Sequence, residues 1–424
     1  MSNRERNKIA VIGGGAAGIV ASYLLQRKHE VTLFEKNDYI GGHTNTITID
    51  DGPDQGTPVD TGFIVLNDKT YPLLNRFLSQ LNVAVSKTDM SFSYTDRKTG
   101  MQYAGSDFNG LFAERSNLFR PSYWGFLLGI LKFNRVTRER LHEGKLSGCT
   151  LGEHLQKEGI RDKVAKDFVL PMAGAVWSAP DGRIVEFPAE TFARFYENHG
   201  LLSVRDQPQW YFIPGGSQTY VKAFMKDFSG RIITKCPVSH VRRSETGAVL
   251  SLPDGSEEYF DRVVIAAHAD DALKILADPS QEEVRLLSQW KYSPNHTVLH
   301  RDISFMPPNP RAWASWNYVR EADAHDEDPV TLTYDMTRLQ HLQASERHCV
   351  TLNPQKPVSA ESVIREIDYT HPIYSFEAID TQAELARLNG NRKTYFCGSY
   401  FGYGFHEDAV RAGSSVGALF GIEL

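Results

Sequence analysis

Apolar and polar positions along the chain alternate between two periods. Ile9, Ala10, Val11 and Ile12 form a continuous apolar run, the mark of a buried strand. Apolar residues at helical spacing follow over 19–28, and a second strand-like run occupies 31–34. Helical spacing returns over 71–81, 123–140, 151–157 and 161–170. Strand-style runs occur at 238–241 and 260–267, and alternation marks 295–301 and 330–334. A last strand is expected near Thr394, with helices starting near Tyr220 and near Glu407. Strands interleaved with helices predict an α/β fold with a parallel sheet, followed by mixed α+β material. No repeat of 20–50 residues is visible.

At 424 residues the chain is too long for one small core, so two domains are expected. Hydrophobic residues make up 41% and charged residues 23%, an ordinary globular composition. Lys and Arg total 46 against 52 Asp and Glu, for a net charge of −6. That balance speaks against nucleic acid as the main partner. The strongest apolar run, 124–131, is far short of the ~20 residues of a membrane span. The first residues are polar and lead straight into a strand, so no signal peptide is expected. Cys149, Cys236, Cys349 and Cys397 are scattered without a Cys-x-x-Cys pair. Neither a metal site nor a disulfide framework is indicated, and a cytoplasmic location is expected. The acidic stretch 321–328 reads as a solvated connector.

The chemistry begins directly after the first strand. Gly13-Gly14-Gly15-Ala16-Ala17-Gly18 fits G-x-G-x-x-G, opens the first helix, and precedes a second strand ending at Glu35. Strand, glycine turn, helix, strand and acid in this order form a dinucleotide-binding unit. Gly13 permits the tight turn, Gly15 lets the backbone approach a pyrophosphate, and Gly18 lets the helix pack closely. Ala16 and Ala17 head a helix whose free N–H groups and positive dipole end suit phosphate. Glu35, followed by Lys36, can accept hydrogen bonds from ribose hydroxyls. No second G-x-G-x-x-G with a ribose acid occurs, so a separate nicotinamide domain is not expected.

Gly41-Gly42-His43, Pro214-Gly215-Gly216-Ser217, the 238–241 strand with its Pro253-Asp254-Gly255 hairpin, and Gly398-Ser399 before the Phe405-His406-Glu407-Asp408-Ala409 helix start recur in one order. Together they resemble the flavin amine oxidase and phytoene desaturase superfamily. The resemblance implies FAD, held in a Rossmann-like domain of the glutathione-reductase-2 type, with a discontinuous α+β substrate domain. It assigns roughly 1–70, 210–290 and 385–424 to the FAD domain, and 71–209 and 291–384 to the substrate domain. It adds Gly41, Gly42, His43, Val241, Gly398, Ser399, His406, Glu407 and Ala409 to the cofactor contacts. His43 stands where many members carry Arg, and Ser399 where many carry an acid.

In the amine oxidase branch a strand Lys holds a water near the flavin, and His300 occupies the similar position here. His300 reads either as a proton carrier or as a hydrogen-bonded core histidine. His406 is the other candidate for proton transfer. Tyr374, with Tyr369, is expected to wall the site. These features, with 313–318 and 400–408, resemble a bacterial subset often encoded beside cyclopropane-fatty-acid-synthase-like methyltransferases. That resemblance implies a small-molecule or lipid substrate and lipid modification. The reading is an FAD-dependent oxidoreductase that dehydrogenates a fatty-acyl or related lipid. The alternatives are a flavin amine oxidase, a double-bond isomerase and a non-enzymatic flavin protein. The greasy, basic segment 111–140 reads either as a peripheral contact with the inner membrane surface or as a core helix with a basic end.

Overall fold

The apolar run that begins the chain forms the strand Lys8–Ile12, at the centre of a five-stranded parallel sheet. The strand order across this sheet is Arg231–Ile233, Glu30–Phe34, Lys8–Ile12, Arg262–Ile265 and Thr394–Phe396. Ile9, Ala10, Val11, Val263, Val264 and Ile265 are fully buried, as expected of strands covered on both faces. The computed structural model describes residues 6–203 and 207–424. The start of the polar leader and residues 204–206, within the expected first substrate segment, lie outside the described residues.

The helix Ala16–Leu25 packs against the helix His406–Leu419. Gly413 makes the close crossing possible, because a Cβ there would run into the carbonyl of Ala17. Beside the parallel sheet stands an antiparallel ribbon of His240–Arg243, Ala248–Ser251 and Glu257–Phe260. The Pro253-Asp254-Gly255 turn joins its last two strands.

A second, seven-stranded sheet runs in the order Val363–Ile373, Lys291–His300, Cys349–Leu352, Leu332–Asp335, Trp316–Arg320, Phe92–Asp96 and Met101–Ala104. Every pairing in it is antiparallel except Trp316–Arg320 with Phe92–Asp96. Helices between residues 108 and 198 cover it, the longest being Pro121–His142. Among the described residues, no helix is long and apolar enough to cross a membrane.

Candidate active site

A cavity of about 1580 Å³ opens at the carboxyl ends of the parallel strands and runs to the seven-stranded sheet. Ligands of open α/β sheets bind at such strand ends. Gly13 follows Lys8–Ile12 at φ 105° and donates to the Phe34 carbonyl at 2.8 Å. Gly15, Ala16 and Ala17 face the cavity, and no side chain caps the helix they open. Its first N–H groups are therefore free for an anion. Gly41 donates to the Gly14 carbonyl at 2.8 Å, which lays Gly42, at φ 60°, beside Gly15. A Cβ on Gly15 would meet no protein atom within 4 Å. The backbone is thus bare where a pyrophosphate needs close approach.

Glu35 Oε2 accepts from Gly14 N at 2.7 Å and Oε1 from Asn37 N at 2.8 Å. These bonds aim the carboxylate and leave each oxygen further acceptor capacity for a ribose. Lys36 lies on the cavity rim, 3.5 Å from Asp271. The residues present fit FAD: a bare glycine turn and helix start, an oriented acid, and a second glycine pair lead on to Gly398, Ser399, His406 and Ala409, all on the same cavity.

His43 is half-buried and stacks on Tyr369, with ring centroids 4.8 Å apart, and His371 lies 5.4 Å away. Burial, then the neighbouring His371, His268 and His406, hold its pKa well below the ordinary imidazole value. His43 is therefore neutral and cannot supply the charge of an arginine to a phosphate. His268, His371, Thr370 and Val238 also line the cavity and are absent from the cofactor contacts expected from sequence. His268 is legible in hindsight, since it follows the Arg262–Ile265 strand end where ligand residues concentrate.

His406 opens its helix on the cavity wall and stacks on Phe63 at 3.8 Å. Its Nε2 is bonded to the Tyr220 hydroxyl at 2.9 Å, which in turn meets Thr44 Oγ1 at 2.7 Å. Burial lowers its pKa to about 3, so it is a neutral imidazole. Tyr374 also walls the cavity, but its hydroxyl donates to the Gly402 carbonyl at 2.9 Å and braces that loop.

Three expected site residues are placed elsewhere, and Gly18, expected to let its helix pack closely, does that and does not reach the cavity. His300 is fully buried in the seven-stranded sheet and does not line the cavity. Its Nδ1 accepts from Asp302 N at 3.1 Å and its Nε2 bonds Thr351 Oγ1 at 2.7 Å, so both ring nitrogens are used. Val241 points into the core of its ribbon, and Val238, three residues earlier, reaches the cavity instead. Gly18 is a packing residue, because a Cβ there would collide with the Gly13 carbonyl. The Glu407 carboxylate accepts from Leu73 N and Leu74 N, both at 2.9 Å, and caps the helix Pro72–Gln80.

Beyond His406 the cavity is walled by Trp210, Trp313, Trp316, Phe92, Phe168 and Met172. Of two carboxylates on this side, one is paired with a cation and the other caps a short helix. Asp89 is bound by Arg338 at 2.6 Å, and Asp107 accepts from Gly110 N at 2.7 Å.

Fold and cavity together define a flavin-dependent oxidoreductase, and FAD is its cofactor. More narrowly, the family model described as flavin containing amine oxidoreductase matches residues 16–301, and the chain belongs to that family. AofH of Mycobacterium tuberculosis, a protein of flavin-containing monoamine oxidase type, is 23% identical over 344 residues, which cover 78% of this chain and 70% of AofH. Among solved structures, cyclohexylamine oxidase from Brevibacterium oxydans superposes with a TM-score of 0.71 at 17% identity, covering 98% of both chains. A fatty acid isomerase from P. acnes that produces CLA superposes at 0.65 with 14% identity, covering 99% of both. These superpositions establish the shared fold.

Proposed function

We propose that this enzyme dehydrogenates an aliphatic carbon chain, of a fatty-acyl or related lipid class. The observation that supports this reading is the substrate side of the cavity. It is large, lined by indole, phenyl and thioether groups, and its carboxylate Asp89 is paired with Arg338. Such a wall binds by burying apolar surface and offers a cationic amine little compensation for desolvation. FAD, when bound, supplies acceptance of a hydride. The chain's own part is to exclude water, orient the substrate against the His406 and Tyr374 wall, and leave the His406 and Glu407 N–H groups at the start of His406–Leu419 free for developing negative charge. We propose the segments 1–70, 210–290 and 385–424 as the cofactor-holding body of the enzyme.

A second reading, oxidation of an amine, is favoured by the relatives that the sequence matches. Anaerobic mixing of the purified holoprotein with fatty acids and phospholipids, or with primary and secondary amines, separates the two. Bleaching of the flavin by a lipid is the expected result. Bleaching by amines alone would overturn the proposal. Many turnovers of a lipid without an electron acceptor would identify an isomerase instead.

A further inference from the structure

The helix Pro121–His142 has two apolar faces. One is core: Tyr123, Phe126 and Phe133 are buried, and Phe133 packs on Phe168, itself a cavity residue. The other carries Trp124, Leu128 and Leu131 at i, i+4 and i+7, all exposed. Trp124 Nε1 donates to the Leu118 carbonyl at 3.0 Å, which seats the indole beside the turn bearing Phe119, a residue 87% exposed. Phe112, itself buried, lies 5.3 Å from Trp124 and 4.7 Å from Phe108 and so anchors Phe108, which is 62% exposed, beside the same surface. Five of the ten large hydrophobic side chains exposed among the described residues lie on this patch. Packing does not require them, because the opposite face already supplies the core. A contiguous exposed apolar patch of this kind marks an interaction surface.

Charge selects the partner. Between Arg115 and Arg138 the sequence holds five basic residues and no acidic one. Arg115, Arg120 and Lys132 are exposed and bond only to amide or carbonyl oxygens: Arg115 to Asn109 Oδ1, Arg120 to Asn117 Oδ1, and Lys132 to the Glu158 and Gly159 carbonyls. Their charge is not neutralised by any carboxylate among the described residues, although the whole chain is acidic. Aromatic and leucine side chains rimmed by free cations fit an anionic lipid surface. Location gives the patch a purpose. Gly105, Ser106, Asp107 and Asn109 line the cavity, and Phe108 stands among them on the outside.

We propose that this face docks onto an anionic phospholipid bilayer, with Phe108, Phe119, Trp124, Leu128 and Leu131 entering the acyl boundary and the cavity wall at 105–109 held against the surface. The inference rests on the surface itself and is independent of which substrate the cavity takes.

The test is co-sedimentation of the yellow holoprotein with vesicles of phosphatidylcholine alone or mixed with phosphatidylglycerol. Binding to the mixed vesicles is expected, weakening as salt rises. The double variant Phe119→Asp, Leu128→Asp should lower partition about 10-fold or more, with flavin content and melting temperature unchanged. Replacing both Arg115 and Arg120 by Ala should cost about 5-fold per charge on anionic vesicles only. Failure to bind either vesicle, or unaltered binding of the double variant, would overturn the proposal. So would a wild-type dimer that the double variant abolishes, which would assign the face to a second copy of the chain. Because partition is read without substrate, its outcome is separate from that of the bleaching experiment.

Discussion

Gly15 and Gly18 belong to one motif and do different work. A side chain at Gly15, where φ is −74°, enters the cavity without touching protein, whereas one at Gly18 strikes backbone. Gly15→Val should therefore yield a folded, colourless protein with an unaltered circular dichroism spectrum, and Gly18→Val should fail to fold. A yellow Gly15→Val protein with full flavin content would remove Gly15 from the cofactor site. His300 makes a different prediction. Burial lowers its pKa to about 4, so as pH falls through ~6.5 the unfolded chain takes up a proton that the folded chain refuses. The wild type should lose stability relative to His300→Gln by roughly 1.4 kcal/mol per pH unit between about 6.5 and 4, and none above that window. Urea titrations of both proteins at several pH values check this, and parallel curves throughout would show that His300 is not held neutral. The glycine positions were readable in the sequence because backbone geometry restricts residue choice there. Which of its two readings His300 takes, and the roles of Val241 and Glu407, were not, because they depend on which way each side chain points once distant strands and helices have met.

At the scale of elements, two helix ends meet through one carboxylate. Glu407, in the first turn of its own helix, satisfies the opening N–H groups of Pro72–Gln80, which has no cap of its own. Glu407→Ala leaves one buried and one half-buried donor unpaired and should destabilise the protein by about 1–3 kcal/mol, read as a lower denaturation midpoint. An unchanged midpoint would show that water replaces the carboxylate. Strands with a clear period and hairpins with a Pro-Asp-Gly turn are legible in the sequence, and Ala248–Ser251 with Glu257–Phe260 is such a case. The helix expected over 161–170 forms, but it runs on to Trp177 and is not uniform. Asp162–Val164 passes into a wider π-type turn at Ala165–Val169 and then into Leu170–Trp177. Pro171 lacks an N–H and its ring crowds the carbonyl four residues back, and a widened turn lies just before it. The long helix Pro121–His142 shows the other limit of pattern reading. Apolar positions on both of its faces gave no clue to which one is core, and only the packing of Phe133 on Phe168 decides it.

Across the whole molecule, the cavity exists because two sheets are joined by a chain that returns to each of them. The parallel sheet takes strands from residues 8–34, 231–265 and 394–396, and the seven-stranded sheet fills the intervals. The sequence revealed the cofactor-holding half through motifs that chemistry restricts. It revealed the other half only as helices followed by strands, since an apolar wall can be assembled from many residue choices. This interleaving bears on how the protein is made. Lys8–Ile12 emerges first, yet its neighbour Arg262–Ile265 follows some 250 residues later, and the edge strand Thr394–Phe396 nearly 400 residues into the chain. At roughly 5–20 residues per second, the ribosome completes that edge only after about 20–80 s. Until then the apolar strands and the greasy cavity wall lack their final partners. Synthesis of this enzyme thus carries a long interval of exposed surface, in which holdase chaperones would have their work and FAD could not yet be enclosed.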